Sequence, residues 1–470
     1  MPLTIRENLW KVTTTLRENL CENEIVFIEG GNKIKSSYGI AIDLGTTKIA
    51  ILLVSLLTGN TIDRMGIMNP QIKFGEDVMT RLGFAMQNEL NLKEIQYVVI
   101  ESINEAIKKL CSKNKLTPEE ILEMTVVANT AMNHLFLGLP VKQLALSPFL
   151  PLTNESINLK AREIGIDISP GAYLYMPPSI AGFVGSDHVA MILATRLYKQ
   201  EGNCIGIDIG TNTEIALKTK KGIVSVSTAS GPAFEGAHIR YGMRAAPGAI
   251  ERVIIDPETC IPNIKTIGDK EPVGVCGSGI LDSISELLKA GIIDRRGKFK
   301  TDNNCLRKDS DGNFQYILVP QLYKELNYKL SHESKYTKYD DRYVSINQKD
   351  IVEIQLAKSA IRTGIEVLLE NNGIEFKEID KIIIAGAFGS YIDPKNVINI
   401  GMFPKVSLKK ITQVGNAAGV GAKMVLISKK ERKIAEKIAQ EVKYLELTLH
   451  PKFSDYFAVS TLFPEPSELM

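Results

Sequence analysis

Tyr38-Gly-Ile-Ala-Ile-Asp43-Leu-Gly45-Thr46-Thr47, running on as KIAILLVSLL, returns 165 positions later as Cys204-Ile-Gly-Ile-Asp208-Ile-Gly210-Thr211-Asn212-Thr213, running on as EIALKT. Ile40, Ile42, Asp43, Gly45 and Thr46 align with Ile205, Ile207, Asp208, Gly210 and Thr211. Two copies in register point to an internal duplication. Each copy reads as a buried strand, a tight acidic turn and a second strand. That is a β-hairpin opening a lobe rather than the strand-to-helix unit of a dinucleotide fold. The economical architecture is two similar α/β lobes facing each other.

The turns carry a definite chemistry. A polyphosphate needs backbone N–H groups and small side chains close to its oxygens, and a carboxylate to hold magnesium. Gly45-Thr46-Thr47 and Gly210-Thr211-Asn212-Thr213 supply the first, since glycine admits close approach and threonine adds a hydroxyl donor. Asp43 and Asp208 supply the second, because magnesium keeps several waters and takes one or two carboxylates. One such turn is as readily an ordinary tight turn; the matched pair favours nucleotide. A third segment, Ile382-Ile-Ile-Ala-Gly386-Ala387-Phe388-Gly389, reads as a strand ending in a bare backbone platform for adenine or ribose.

Around these stand weaker candidates. Glu235, in SGPAFEG, is placed to orient a water or a metal, or is a turn carboxylate between Pro232 and Gly236. Gly277 and Ser278 open an apparent helix, where N–H groups and the helix dipole suit a phosphate; Ser278 is equally an N-cap. Glu214 and Lys48 follow the turns, but strand alternation turns either inward or outward. Five histidines, at 134, 188, 238, 332 and 450, share no metal spacing, and packing roles suit His134 and His188 better.

Bulk properties narrow the classes. A chain of 470 residues exceeds one ordinary core, and 44% hydrophobic with 23% charged residues is the globular range. A net charge of +2 gives no global field toward nucleic acid or an anionic membrane. The N-terminal stretch lacks the apolar core of a signal peptide, and Ile49–Leu57 is far shorter than the ~20 residues of a membrane helix. The expected location is the cytoplasm. Cys21, Cys111, Cys204, Cys260, Cys276 and Cys305 contain no C-x-x-C pair, so neither zinc nor an iron–sulfur cluster has its usual local spacing. They read as reduced thiols, mostly core fillers.

Along the chain, 1–35 reads as a polar, helical lead-in, 36–203 as the first lobe and 204–470 as the second lobe with a C-terminal return segment. Helical periodicity marks LKEIQYVVIESINEAIKKLC, ILDSISELLKAG and DIVEIQLAKSAIRTGIEVLLENNG, whereas TVVANTA reads as a strand. The polar stretch from about 300 to 345 reads as an insertion or a long surface hairpin.

The order of two phosphate hairpins and then an adenosine strand resembles the actin, Hsp70 and sugar-kinase (ASKHA) superfamily. It does so together with Val126-Val-Ala-Asn129-Thr130-Ala and Gly415-Asn-Ala-Ala-Gly419-Val-Gly421. The latter two look like the small-residue helices that pack where the lobes cross. Further motifs resemble one branch, the reductive activators of corrinoid-dependent enzymes. They are Asn69-Pro-Gln-Ile-Lys-Phe-Gly75-Glu-Asp77, Asn129-Thr-Ala-Met-Asn-His134, Ile180-Ala-Gly-Phe-Val-Gly185-Ser-Asp187, Ser230-Gly-Pro-Ala-Phe-Glu235-Gly, Gly242-Met-Arg-Ala-Ala-Pro-Gly248, Val275-Cys-Gly277-Ser-Gly279, Gln355-Leu-Ala-Lys358 and Leu445-Glu-Leu-Thr-Leu-His450-Pro.

The resemblance implies an α/β fold of two duplicated lobes around a nucleotide cleft. It implies ATP and Mg2+ as ligands, and ATP hydrolysis coupled to reduction of an oxidised Co(II) corrinoid to Co(I). Members of this branch carry their own iron–sulfur domain; the scattered cysteines depart from that pattern. No intrinsic cluster is therefore expected, and electrons come from an external low-potential donor such as a ferredoxin. The implied partner is a cobalamin-binding protein, and a homodimer is compatible with the resemblance. Two other readings use the same fold: a small-molecule kinase, with Asp208 as base, and a non-redox nucleotide-binding regulatory partner.

Overall fold

In a computed structural model, residues 2–18, 23–34, 37–302, 304–319, 343–386, 388–389 and 391–470 are described. By its contacts the chain divides into two units. The first comprises Met1–Gln200, Lys221–Val224 and Asn416–Tyr444; the second comprises Glu201–Lys220, Ser225–Gly415 and Leu445–Met470.

The lead-in departs from expectation. A short helix, Pro2–Glu7, precedes an antiparallel pair, β1 (Val12–Glu18) and β2 (Asn23–Gly30). VTTTLRE and EIVFIEG are dominated by β-branched and aromatic residues, and their preference for a pleated backbone outweighs the polar composition. The first unit then builds a six-stranded sheet from β3 (Tyr38–Leu44), β4 (Lys48–Ser55), β5 (Thr61–Met68), β6 (Ile121–Ala128), β7 (Ile157–Lys160) and β8 (Tyr173–Met176). The order is β5-β4-β3-β6-β8-β7, so β3 and β4 form the expected hairpin while β6 runs parallel to β3. Ile40, Ile42, Ile49, Ile51, Val126 and the helix Glu89–Lys113 share one buried core.

The second unit repeats the plan with β9 (Cys204–Ile209), β10 (Thr213–Thr219) and β11 (Gly222–Thr228). A three-stranded sheet follows from β12 (Ala249–Ile255), β13 (Pro262–Thr266) and β14 (Gly274–Val275), and another from β15 (Arg307–Lys308), β16 (Phe314–Ile317) and β17 (Ser345–Asn347). With β18 (Lys381–Ala385) and β19 (Ile411–Gly415) the sheet runs β19-β18-β9-β10-β11, and it ends on β20 (Lys443–Tyr444), which the contacts group with the first unit together with the first residues of β11, Gly222–Val224. Again β9 and β10 are an antiparallel hairpin, and β18 lies parallel to β9 with Ala385 opposite Asp208. The central part of the anticipated 300–345 insertion lies outside the described residues.

Two expectations are corrected here. Asn416–Tyr444 belongs by its contacts to the first unit, although the sequence reading kept 204–470 together. The helix Ala417–Ile427 explains it: Thr125 Oγ1 donates to Ala422 O at 2.9 Å, and a Cβ at Gly421 would fall 2.3 Å from Ala190 O. The helix packs on the helix Ser186–Ala194 and on β3 and β6, with Val127 of the VVANTA segment in one buried cluster with Ala418 and Ala422; VVANTA is the end of a strand, not one of a pair of helices. Second, Cys260 and Cys305, 45 residues apart, are joined with their Cα atoms at 5.5 Å instead of standing as thiols. Cys111, Cys204 and Cys276 are free and buried, as core fillers should be; Cys21 lies outside the described residues.

Candidate functional site

The first turn sits at the end of β3, where parallel pairing with β6 leaves the Asp43 carboxyl and the Gly45–Thr47 backbone at the sheet's carboxyl edge. Gly45 is obligatory: a Cβ there would lie 2.7 Å from Lys48 O. Three asparagines hold the segment. Asn69 Nδ2 donates to Gly45 O at 2.9 Å while its backbone N–H donates to Thr47 O at 3.0 Å. Asn129 Nδ2 donates to Thr46 Oγ1 at 3.0 Å, and Asn416 Nδ2 donates to Asp43 Oδ2 at 2.8 Å. Lys48 is exposed and points away from the buried side of its strand.

A second carboxylate accompanies Asp43. Asp187 stands in the first turn of the helix Ser186–Ala194, whose start is pressed onto the end of β6. A Cβ at Gly185 would fall 2.2 Å from Ala128 O, so glycine is what permits that approach. Burial pushes the Asp43 carboxyl up to about 6, opposed by the Asn416 bond. Burial also raises Asp187, and the charge of Asp43 raises it further. Two carboxylates that resist joint ionisation form a natural seat for a cation. Asp187 lay in a quoted motif without a role; the signal that points to it is an acidic residue just past a glycine at a helix start.

The second turn is held differently. Thr211 Oγ1 donates to Glu235 Oε1 at 2.6 Å, which brings the anticipated carboxylate onto the turn. Thr213 Oγ1 and Ser230 Oγ share a hydrogen bond of 2.8 Å, and Ser230 Oγ also reaches Gly210 O and Thr211 O at 3.2 and 3.3 Å. Glu214 is buried on β10, a strand covered on both faces, and accepts from Ser227 Oγ at 3.1 Å. Gly386, at φ +93°, ends β18 so close that a Cβ would sit 2.5 Å from Ile209 O and 2.9 Å from Asp208 Oδ1. Phe388 stacks on Phe234, centroids 5.4 Å apart and rings 13° from parallel. Gly277 fits beneath them: a Cβ there would lie 2.5 Å from Phe388 Cε2 and 1.9 Å from Phe234 O.

Four segments of the second unit therefore converge: Asp208–Thr213, Ser230–Gly236, Gly277–Gly279 and Gly386–Gly389. Ser278 is buried in the first turn of the helix Gly277–Lys289, and the N-cap is Cys276 instead. Ala387, anticipated at the platform, lies outside the described residues. His134 is a packing residue, its Nδ1 bonded to Thr130 O and its Nε2 accepting from Leu152 N–H. Burial pushes His188 down to about 3, so its ring is neutral.

Residues 38–200 match the RACo middle region, and residues 202–469 match the C-terminal domain of RACo, the ASKHA domain. The chain belongs to the RACo family. This RACo-family chain is 36% identical over 442 residues to the corrinoid activation enzyme RamQ of Eubacterium limosum, covering 94% of this chain and 73% of RamQ. It is 26% identical over 459 residues to a [Co(II) methylated amine-specific corrinoid protein] reductase of Methanosarcina barkeri, covering 89% and 76%. Among solved structures it is similar to a reductive activator for corrinoid, iron–sulfur protein, with TM-score 0.87 and 33% identity, over 99% of this chain and 72% of that one. The α/β ASKHA fold is thus established for this RACo-family chain. Among the described residues no helix is long and apolar enough to cross a membrane.

Proposed function

We propose that this chain is an ATP-dependent reductive activator that returns a corrinoid protein from Co(II) to Co(I). The observation that carries the reading is the pair of aspartate–glycine turns, one per unit, each at the carboxyl end of a strand and each with a further carboxylate beside it. The names of its RACo-family relatives supply the corrinoid partner.

In this reading the N–H groups and hydroxyls of Gly45–Thr47 and Gly210–Thr213 bind polyphosphate oxygens. Asp43 and Asp208 hold hydrated Mg2+; the nearness of a second buried carboxylate, Asp187, to Asp43 supports a cation at the first turn. When bound, the ion neutralises phosphate charge. Gly386, Phe388 and Gly389, with Gly277 and Ser278, form the nucleoside platform. Glu235, oriented by the Thr211 hydroxyl, positions the attacking water and accepts its proton, and Asp187 is the corresponding carboxylate of the first unit.

ATP hydrolysis does no redox chemistry itself. Co(II) takes one electron to become Co(I) at very low potential, and nucleotide must favour a state in which that transfer is less uphill. The electron comes from a separate low-potential donor such as a ferredoxin. In support, Cys111, Cys204 and Cys276 are individually buried and Cys260 is joined to Cys305, so these thiols do not gather as cluster ligands. A cytoplasmic setting goes with this chemistry.

The test combines the chain with a Co(II)-loaded corrinoid protein, Mg-ATP and titanium(III) citrate, following Co(I) absorbance and phosphate release. ATP-dependent appearance of Co(I) is expected. ATP turnover that never yields Co(I), with any corrinoid partner or donor, overturns the reading in favour of a kinase or a nucleotide-driven regulator.

A further inference from the structure

The three asparagines around the first turn share a feature that the nucleotide reading does not require. Each is the N-cap of a helix. Asn69 Oδ1 accepts from Gln71 N–H at 3.0 Å, Asn129 Oδ1 from Met132 N–H at 2.9 Å, and Asn416 Oδ1 from Gly419 N–H at 2.7 Å. A backbone N–H can only donate, so in all three the oxygen must face the helix. The NH2 group is thereby directed at the turn, and the amide orientation is fixed by chemistry.

The three Nδ2 atoms reach three different parts of the same segment: Asp43 Oδ2, Gly45 O and Thr46 Oγ1. Aspartate, serine or threonine would cap these helices as well as asparagine does. None of them would offer an N–H to the turn. The shared choice of asparagine is explained by the second bond, not by the cap.

At Thr46 the consequence is directional. Asn129 occupies a lone pair of the hydroxyl oxygen by donating to it, which leaves the hydroxyl proton to be donated onward. Thr46 is nearly fully buried, so a rotation toward bulk water does not compete. An anionic oxygen seated on the Gly45–Thr47 backbone would meet a donor. With an acceptor at 129 the same hydroxyl would point its proton back into the protein.

We propose that Asn69, Asn129 and Asn416 are positioning residues of the phosphate turn, each coupling a helix start to one atom of Asp43–Thr46, and that Asn129 sets the Thr46 hydroxyl as a donor to phosphate. This rests on the reading of Gly45–Thr47 as a nucleotide turn. It predicts that the cap and the site function separate on substitution. Asn129→Asp keeps the cap and reverses the hydrogen bond to Thr46; Asn129→Ser keeps the cap and is too short to reach it.

The experiment is calorimetric titration of the full chain with Mg-ATP, alongside thermal unfolding, for the native chain, Asn129→Asp, Asn129→Ser, Thr46→Val and the Thr46→Val/Asn129→Asp double variant. Both Asn129 variants should unfold within about 2 °C of the native chain. Asn129→Asp should bind ATP at least about tenfold more weakly, Asn129→Ser less severely, and Asn129→Asp should add little once Thr46 lacks its hydroxyl. Native ATP affinity in Asn129→Asp overturns the inference, as does a loss that adds in full to that of Thr46→Val, which would mark simple charge repulsion. If the native chain itself takes up no ATP, the nucleotide reading falls and the inference falls with it. Intact native binding with unaffected variants sinks the inference alone.

Discussion

The two aspartate–glycine turns share a backbone plan and differ in the groups that hold them. Asp43–Thr47 is braced by side-chain amides from three helix starts: Asn69 is 24 positions from Gly45, Asn129 is 83 from Thr46, and Asn416 is 373 from Asp43. At Asp208–Thr213 the bonds shown are made by hydroxyls, Thr213 with Ser230 17 positions on and Thr211 with Glu235 24 positions on. The hairpin is common to both units, since its geometry follows from the strand and the glycine, while the bonds described at the two turns use different side chains. Amide bracing rigidly assigns donors and acceptors, whereas hydroxyl bracing can reverse direction, which suits a turn that also holds a carboxylate such as Glu235.

Substitutions at the two turns can break or sharpen this contrast. The largest effect is expected from Asp43→Ala and Asp208→Ala, each weakening Mg-dependent ATP binding about a hundredfold or more, an energy of about 3 kcal/mol, by calorimetry. An effect at one aspartate only would make the two turns functionally unequal. Next, Gly45→Ala should destabilise the protein by about 2 kcal/mol, because the added Cβ meets Lys48 O at 2.7 Å. Gly210→Ala meets only Asn212 O, at 3.1 Å, and should cost under about 1 kcal/mol in the same denaturant titration. Equal costs would mean that the two turns are equally tight.

Removing one brace from each side gives a smaller difference. Asn69→Ala deletes both a cap and the bond to Gly45 O from a fully buried position, and should cost about 2 kcal/mol. Ser230→Ala should cost about 1 kcal/mol, since Thr213 can redirect its hydroxyl.

The smallest effect is a pH effect at the first turn. Folding raises the carboxyls of Asp43 and Asp187, so the native chain binds more protons than the unfolded chain, and stability falls as pH rises from about 4 to about 7. Asp187→Asn should therefore stabilise the fold by about 1 kcal/mol above that window and not at all below it, the figure being reduced by the partial exposure of the site. A stabilisation that does not change with pH would assign the effect to packing.

Much of this protein was legible in its sequence. Ile40, Ile42 and Asp43 followed by Gly45 announce a buried strand stopped by a turn, and the second copy at Ile205–Thr211 turns a commonplace into a duplication. Those features depend on local backbone preference and on burial of alternate side chains, which neighbours along the chain specify. Motif order pointed to the Asp208 turn and the Gly386 strand as neighbours, and Glu235 and Gly277 were weaker candidates; the structure brings all four segments together. The lead-in was misread because a polar composition says little about a hairpin whose β-branched residues choose its backbone.

What tertiary structure alone decided is who supports whom. Asn416 could be read as a helix start, but nothing near it in sequence says that its amide reaches Asp43, nor that its helix packs on β3 and β6 instead of on the strands that precede it. Asp187 was one acidic residue among many until the close approach of Gly185 to Ala128 set it beside Asp43. A single sequence records each residue's own hydrogen-bonding capacity and shape. Which distant group completes that capacity is settled only when burial removes water and every polar atom must find its partner within the fold.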